Sequence, residues 1–410
     1  MHAYRFRWSV AAIAYPLMAG ALAFSSCALA EERLRVTLST PGLSDPLKSS
    51  IVHVEMVNEG DRDVAIYEWD TPFVQSAGRL AKRLFQVKDA FGNEVRYRGR
   101  WVNTGRILAN QFIVMHPGDR READVDLRVE YDYGLGGAFS VKYVLPLDRE
   151  PDRDVVTREQ YEAFRHNEQK NTRSNVTTIY IDGPVQPVAS VTDDDCSEPQ
   201  KGVIRAAKSR AFDALWKTDS YMSARYERRD DGAGGSQFVF VPHPRYERWL
   251  GAHSGSEPSL HEEGFSASDN GLAYERPWEV FARLVGGAAK KLQPRCGCPG
   301  YPPTTPAWAE VETTYVVHFC DPFFELPEMG LPSSRMGTVI HELSHFDDGM
   351  KGTEDYVYGR SAAEKLAKEN RSLAVRNADN FEFFIVDTTP YDEKASLQAA
   401  TVDTTRTGRP

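Results

Sequence analysis

The run His341-Glu342-Leu343-Ser344-His345 sets two imidazoles four residues apart, with a carboxylate beside the first. On a helix, His341 and His345 lie one turn apart on one face and can reach a single metal ion. Glu342 then projects close by without being needed as a ligand. Two histidines suit zinc, and the spare carboxylate can take a proton from an attacking water. The plain alternative is a helix with two ordinary histidines. Against it, Val339, Ile340, Leu343 and Phe346 supply an apolar face that buries one side of the helix. A catalytic zinc takes three protein ligands and keeps one position open. A third histidine at short spacing is absent, because Lys351 stands in its place. Among the acids that follow, Asp347 and Asp348 sit too near His345 to turn back. Glu354 and Asp355 remain, and Asp355 lies beyond Gly349 and Gly352, which permit a sharp return.

Asp379 and Glu382 form a second constellation, three residues apart and so on one helical face. Paired carboxylates raise each other's pKa unless a cation comes between them. A substrate lysine ammonium would be such a cation; an Arg or Lys elsewhere in the fold would serve as well.

These residues need elements to hold them. Helix is predicted to resume near Ser333 and carry the histidines, and a final helix to run from about Ser361 to Phe384. Gln200–Tyr221 and Trp278–Leu292 show helical apolar spacing, and Thr313–Phe319 is a β-branched, aromatic run of strand length. Arg229–Gly235 reads as a turn. From Arg33 to about Leu147 the pattern is β-like: Leu34, Val36 and Leu38 alternate with polar residues, and Asn58-Glu59-Gly60, Phe91-Gly92-Asn93 and His116-Pro117-Gly118-Asp119 mark turns. Such spacing suggests a β-sandwich over residues 31–147. Residues 148–195 are highly charged and read as a solvated linker with some helix, where the chain could be processed; the last residues, 388–410, read as a polar tail.

The chain has 410 residues, 41% hydrophobic and 26% charged, with a formal net charge of −10, which argues against a nucleic-acid partner. Arg5 and Arg7, an apolar run from Val10 to Phe24 and the small-residue end Ala28-Leu29-Ala30 mark residues 1–30 as a secretory signal peptide. Acylation of Cys27 is the weaker alternative. No other stretch is long and apolar enough to insert stably in a membrane. Past Ala30 four cysteines remain, Cys196, Cys296, Cys298 and Cys320, and an even number in an exported chain favours disulfides. Cys296 and Cys298 are too close to pair comfortably with each other, so each needs a distant partner.

Gly352-Thr353-Glu354-Asp355-Tyr356-Val357-Tyr358-Gly359 fits G-T-x-D-x-x-Y-G without a mismatch. With His341–His345, it resembles the aspzincin metallopeptidases, the family of deuterolysin and peptidyl-lysine endopeptidase. The resemblance implies one zinc ion per chain held by His341, His345 and Asp355. It implies Glu342 as general base and Tyr358 as the hydroxyl that supports the oxyanion. Asn377-Ala378-Asp379-Asn380-Phe381-Glu382 matches the N-A-D-x-x-E element with which the lysine-specific branch builds its pocket for the residue after the cut. The resemblance also implies the pairings Cys196–Cys296 and Cys298–Cys320. Arg248-Trp249-Leu250-Gly251 is similar to the family's W-F-G element. Asn58-Glu59-Gly60, Trp69-Asp70-Thr71-Pro72 and Arg96-Tyr97-Arg98-Gly99 resemble the propeptides of these enzymes. The expected protein is therefore an α+β chain: a β-sandwich prodomain, then a mainly helical zincin-type catalytic domain over residues 196–387. It would be a secreted, monomeric zinc endopeptidase made as a zymogen, cutting before lysine in protein substrates, with its own propeptide as inhibitor or chaperone. Alternatives are a deuterolysin-like protease without lysine preference and a non-catalytic, zinc-stabilised binding protein.

Overall fold

The computed structural model describes residues 34–41, 49–76, 78–105, 107–144, 173–183, 196–223, 226–230, 236–240, 243–252, 275–310, 315–346 and 352–387. The expected signal peptide with Cys27, most of the expected linker, the Arg229–Gly235 turn beyond Asp230, the pair Asp347 and Asp348, and the polar tail lie outside these residues. The chain is mixed α and β.

The N-terminal half is built of strands. They are β1 (Leu34–Ser39), β2 (Ile51–Asn58), β3 (Val64–Tyr67), β4 (Gln75–Ser76), β5 (Arg79–Leu80), β6 (Phe85–Lys88), β7 (Arg100–Asn103), β8 (Phe112–Met115), β9 (Arg120–Asp126), β10 (Gly136–Val144) and β11 (Arg173–Asp182). One sheet has the order β1-β2-β9 and another β11-β10-β6; β3 pairs with β8 and β4 with β5. The alternation read from Leu34, Val36 and Leu38 holds, since these three are buried while Arg35 and Ser39 are exposed. With Val54, Met56, Phe85, Val87, Val141, Tyr143, Ile179 and Ile181 they form one apolar core. Residues 173–182, expected within a linker, are instead a strand that pairs antiparallel with β10. Ile179 and Ile181 anchor it in the core, an alternation masked in the sequence by Arg173, Asn175 and two threonines.

The C-terminal half opens with a helix at Glu198–Ser223, and β12 (Tyr226–Asp230) pairs with β13 (Ser236–Phe240). Helix Pro244–Leu250 follows, and Gly251 at φ 80° ends it. The predicted helix over Trp278–Leu292 is present but broken. Glu275–Arg283 is α-helical, Leu284–Ala288 form a π turn with Gly287 at φ 134°, and Ala289–Lys291 close it. Then come β14 (Gln293–Cys296), β15 (Ala307–Glu310) and β16 (Val316–Phe319). The long final helix is likewise three, Arg360–Glu369, Arg371–Ala374 and Ala378–Val386, because Asn370 leaves helical geometry and its side chain caps the next segment by accepting from Leu373 N–H.

Cys196–Cys296 and Cys298–Cys320 are both disulfide-bonded. They tie the start of the first helix to β14, and the loop after β14 to the end of β16. β14 runs parallel to β16, and β15 antiparallel to it. The fourth strand of this sheet comes from the other half of the chain. β7 pairs antiparallel with the free edge of β15, with Val102 opposite Trp308 and Arg100 opposite Glu310.

Candidate active site

The histidines lie on helix Arg335–Ser344, where the sequence predicted a helix. Ser334 caps it by accepting from Gly337 N–H at 3.1 Å. Val339, Ile340, Leu343 and Phe346 are buried in the C-terminal core together with Phe381, Phe383 and Phe384, which fixes the rotation of the helix. His341 and His345 then share the opposite face, both essentially inaccessible.

The loop 352–359 returns across that face. Gly352 allows the approach: a Cβ there would lie 1.9 Å from the His345 carbonyl oxygen. Thr353 donates its N–H to Ser344 O at 2.9 Å, and its own carbonyl faces His345 Nδ1 at 3.1 Å. Asn377 holds the rest of the loop by accepting from Tyr356 N–H and Val357 N–H at 2.8 and 3.0 Å. Asp355 is thereby set against both histidines, its carboxylate oxygens 3.2 Å from His341 Nε2 and 3.5 Å from His345 Nε2. One donor atom from each of His341, His345 and Asp355 lies within 4.8 Å of the others.

The residues present fit a metal ion. His345 Nδ1 faces a carbonyl, so it carries the proton and Nε2 presents a lone pair. His341 Nδ1 faces Asp379 Oδ1 at 2.8 Å and Glu382 Oε2 at 3.6 Å, so it too turns a bare Nε2 inward when neutral. Neither Nε2 makes a well-formed hydrogen bond to a described residue. Two lone pairs and a buried carboxylate facing one point repel one another unless positive charge joins them. The charges around the site make the same demand. Burial opposes charge on His341, yet Asp355, Asp379 and Glu382 hold its pKa well above the ordinary value. Burial lowers His345 to about 4. Asp355 stays ionised despite burial because His345 and His341 lower its pKa.

Glu342 is fully buried beside this triad, and burial pushes its pKa well above the carboxylate range. The Asn103 side chain of β7 works the other way, favouring the ionised form. Tyr358 is buried, with its ring stacked on His341 at a centroid distance of 6.2 Å. Its hydroxyl donates to the Val102 carbonyl at 2.8 Å. Asp379 and Glu382 do share a face, as their spacing predicted, but the face looks at His341. Asp379 also accepts from Gly359 N–H at 2.5 Å. Glu382 is pushed up to about 7, by burial first and also by Asp379. Gly337 leaves room for it, since a Cβ there would lie 2.2 Å from Glu382 Oε1.

Sequence reasoning missed the residues that β7 brings. The Trp101 ring stacks on the His345 imidazole at 5.5 Å and 9°. Val102 caps Tyr358, and Asn103 faces Glu342. Arg83, from just before β6, pairs with both Glu94 at 2.9 Å and Glu354 at 2.7 Å, next to Asp355. Only the likeness of Arg96–Gly99 to family propeptides pointed toward this region.

Residues 288–386 match the sequence model of the aspzincin family, described as lysine-specific metallo-endopeptidase. An extracellular protease of Aeromonas hydrophila is 26% identical over 387 residues, spanning 91% of this chain and 96% of that protein. A peptidyl-Lys metalloendopeptidase of Grifola frondosa is 26% identical over 276 residues, 67% of this chain and 69% of that one. A solved structure of a zinc peptidase from Grifola frondosa aligns at 25% identity and a TM-score of 0.35, covering 47% of this chain and 97% of that one. The matched segment 288–386 contains His341, Glu342, His345 and Asp355, and over that segment the sequence is that of an aspzincin metallo-endopeptidase.

Proposed function

We propose that this protein is a secreted zinc endopeptidase, made as a zymogen, that cuts peptide bonds on the amino side of lysine. The observation that carries the reading is the convergence of His341, His345 and Asp355 on one buried point beside Glu342. His341 Nε2, His345 Nε2 and Asp355 would hold zinc, and the ion would supply Lewis acidity to the scissile carbonyl and the attacking water. Glu342, buried beside the triad, takes the proton of that water and returns it to the leaving amine. Tyr358 donates its hydroxyl hydrogen to the oxygen on which negative charge develops. The Thr353 carbonyl fixes the His345 imidazole by accepting from Nδ1, and the Asp379 carboxylate, 2.8 Å from His341 Nδ1, orients the other.

The carboxylate pair Asp379 and Glu382 would receive the lysine ammonium, supported by the match to the N-A-D-x-x-E element and by their burial within one cluster. One observation favours a second reading, a protease without lysine preference. Asp379 is already engaged by His341 and Gly359 N–H, which leaves Glu382 as the main charge for a substrate.

The N-terminal half acts on this reading as an intramolecular inhibitor. β7 lies along β15, Val102 occupies the Tyr358 hydroxyl, and Trp101 covers His345. The signal-like residues 1–30, the disulfides and the name of the Aeromonas relative support export; no helix among the described residues is long and apolar enough to cross a membrane. A monomer is proposed.

The test is a Glu342→Gln variant loaded with zinc. It should keep the metal and lose casein hydrolysis by at least about a thousandfold. Mass spectrometry of the parent's products should show lysine at the new N-termini. Full activity in the variant would remove the catalytic reading, and products with unrelated N-termini would leave the broader protease.

A further inference from the structure

Resting on that reading, the register of β7 against β15 identifies a second specificity site. An extended peptide can bind by adding a strand to an open sheet edge, and β7 already lies on the edge of β15 beside the metal cluster, so its register reports where each residue of such a peptide would go. Val102 points its backbone away from β15: its N–H goes to Ala81 O at 3.1 Å and its carbonyl accepts from Tyr358. The scissile carbonyl must be turned toward Tyr358 and the metal ligands in the same way. Val102 therefore stands in the place of the residue before the cut and Asn103 in that of the residue after it. Asn103 points at Glu342 and lacks the charge of the proposed lysine.

In this register Arg100 is the third residue before the cut. Side chains alternate along a strand, so Trp101 and Asn103 face the histidine helix while Arg100 and Val102 face the other side of the sheet. There the Arg100 guanidinium lies 5.1 Å from the Trp308 ring centroid and 6.0 Å from that of Tyr301, and it donates to Tyr301 Oη at 2.9 Å. Glu310 stands opposite it in the strand pairing. Trp308 is itself backed by His318, stacked at 3.8 Å and 10°. His318 is buried, and neither ring nitrogen has a hydrogen-bond partner among the described residues. The stack is thus a rigid aromatic platform, held by the β15–β16 ladder, with a guanidinium on its open face.

We propose that Trp308 and Tyr301 form a cation-accepting subsite for the third substrate residue before the scissile bond, filled here by the protein's own Arg100. Its ligand class is an arginine side chain of an extended peptide. Arginine suits it better than lysine because a planar guanidinium can stack on the indole and donate to the phenol at once.

The experiment uses the protein as secreted, in the form that hydrolyses casein. Synthetic peptides share one lysine-directed cut and carry arginine, citrulline or norleucine at the second, third or fourth residue before it. Citrulline keeps arginine's shape and removes its charge. At the third position kcat/KM should favour arginine over citrulline by about tenfold. The preference should vanish in Trp308→Leu and shrink about threefold in Tyr301→Phe, which removes only the hydroxyl that accepts from the guanidinium. Intact disulfides and an unchanged circular dichroism spectrum establish that each variant is folded. Equal rates for arginine and citrulline at the third position in the parent would overturn the subsite, as would a preference that survives Trp308→Leu. An arginine preference at another position would overturn the register. Failure of the parent to cut any peptide would instead overturn the catalytic reading beneath it.

Discussion

Replacing Asp379 by asparagine should loosen zinc as well as alter which bond is cut. Its carboxylate lies 2.8 Å from His341 Nδ1 and accepts from Gly359 N–H at 2.5 Å. A hydrogen bond to a charged acceptor is worth about 1.5–3 kcal/mol. Loss of a partner that orients a metal-ligating histidine weakens metal affinity about 10–100-fold, or about 1.4–2.7 kcal/mol, so the two magnitudes agree. Asparagine keeps an acceptor oxygen of similar reach, which places Asp379→Asn near tenfold, and Asp379→Ala nearer a hundredfold. Glu382 Oε2 lies 3.6 Å from the same nitrogen, too far for a hydrogen bond. Glu382→Gln should shift zinc affinity less than about threefold while lowering the preference for lysine over norleucine after the cut. Zinc titration against a competing chelator gives the affinity without reference to turnover, and product mass spectrometry gives the preference. Asp379→Asn holding zinc as tightly as the parent would refute the positioning role. Equal weakening in both variants would refute the division of labour between the two carboxylates.

Two further outcomes follow from the contacts between the halves of the chain. Burial, with Arg100 and Arg295, lowers the His318 pKa from 6.5 to about 4. The unfolded chain binds the proton first on acidification, so stability is complete above pH 6.5 and is lost as pH falls toward 4, by about 3 kcal/mol; melting temperatures of His318→Phe should be flatter than the parent's across that window, and parallel curves would contradict the assignment. Arg83 bridges Glu94 and Glu354 in a partly exposed setting, discounted for solvent to about 1 kcal/mol, so Arg83→Ala should raise peptide hydrolysis by the unprocessed chain about fivefold in an initial-rate assay, and no rise would separate this pair from the block.

The metal cluster was legible because its parts are local in sequence. A helical repeat sets His341 and His345, and a glycine-permitted loop brings Asp355 back within a few residues. The strands around Val36 and Val54 were legible for the same reason, through alternation with one buried face. Helix breaks at Asn370 and Gly287 were harder, because the apolar spacing continues across them and only the backbone geometry shows the interruption. What could not be read was partnership across the chain. Trp101 looks like any core aromatic until it is found on His345, and nothing near residue 100 announces that β7 leaves its own half to complete a sheet at β15. The spacing of Asp379 suggests half of a cation pocket, and spacing cannot show that the carboxylate faces a histidine ring nitrogen on another helix.

Three of the contacts that β7 and its neighbours make at the site differ in kind, and this bears on how the proposed block is released. Trp101 on His345 is a stacking contact, Val102 on Tyr358 a single neutral hydrogen bond, and Arg83 on Glu354 an ion pair. No one of them is worth more than about 1–2 kcal/mol. They act together because the β7–β15 ladder and the Lys82–Asp70 ion pair, with Lys82 set 5.6 Å from the Tyr358 ring, hold one rigid segment across all three. Salt weakens only the ion pairs, and a single substitution removes only one contact, so either should give partial activation. Full activation needs the ladder itself to come away, and that requires severing the chain between the halves and dissociating the N-terminal part. Processed protein kept with its N-terminal half bound should therefore remain nearly as slow as the intact chain, and should gain activity on dilution or denaturant-assisted separation. Full activity immediately on cleavage, with the N-terminal half still bound, would show that β7 does not occupy the path of the substrate.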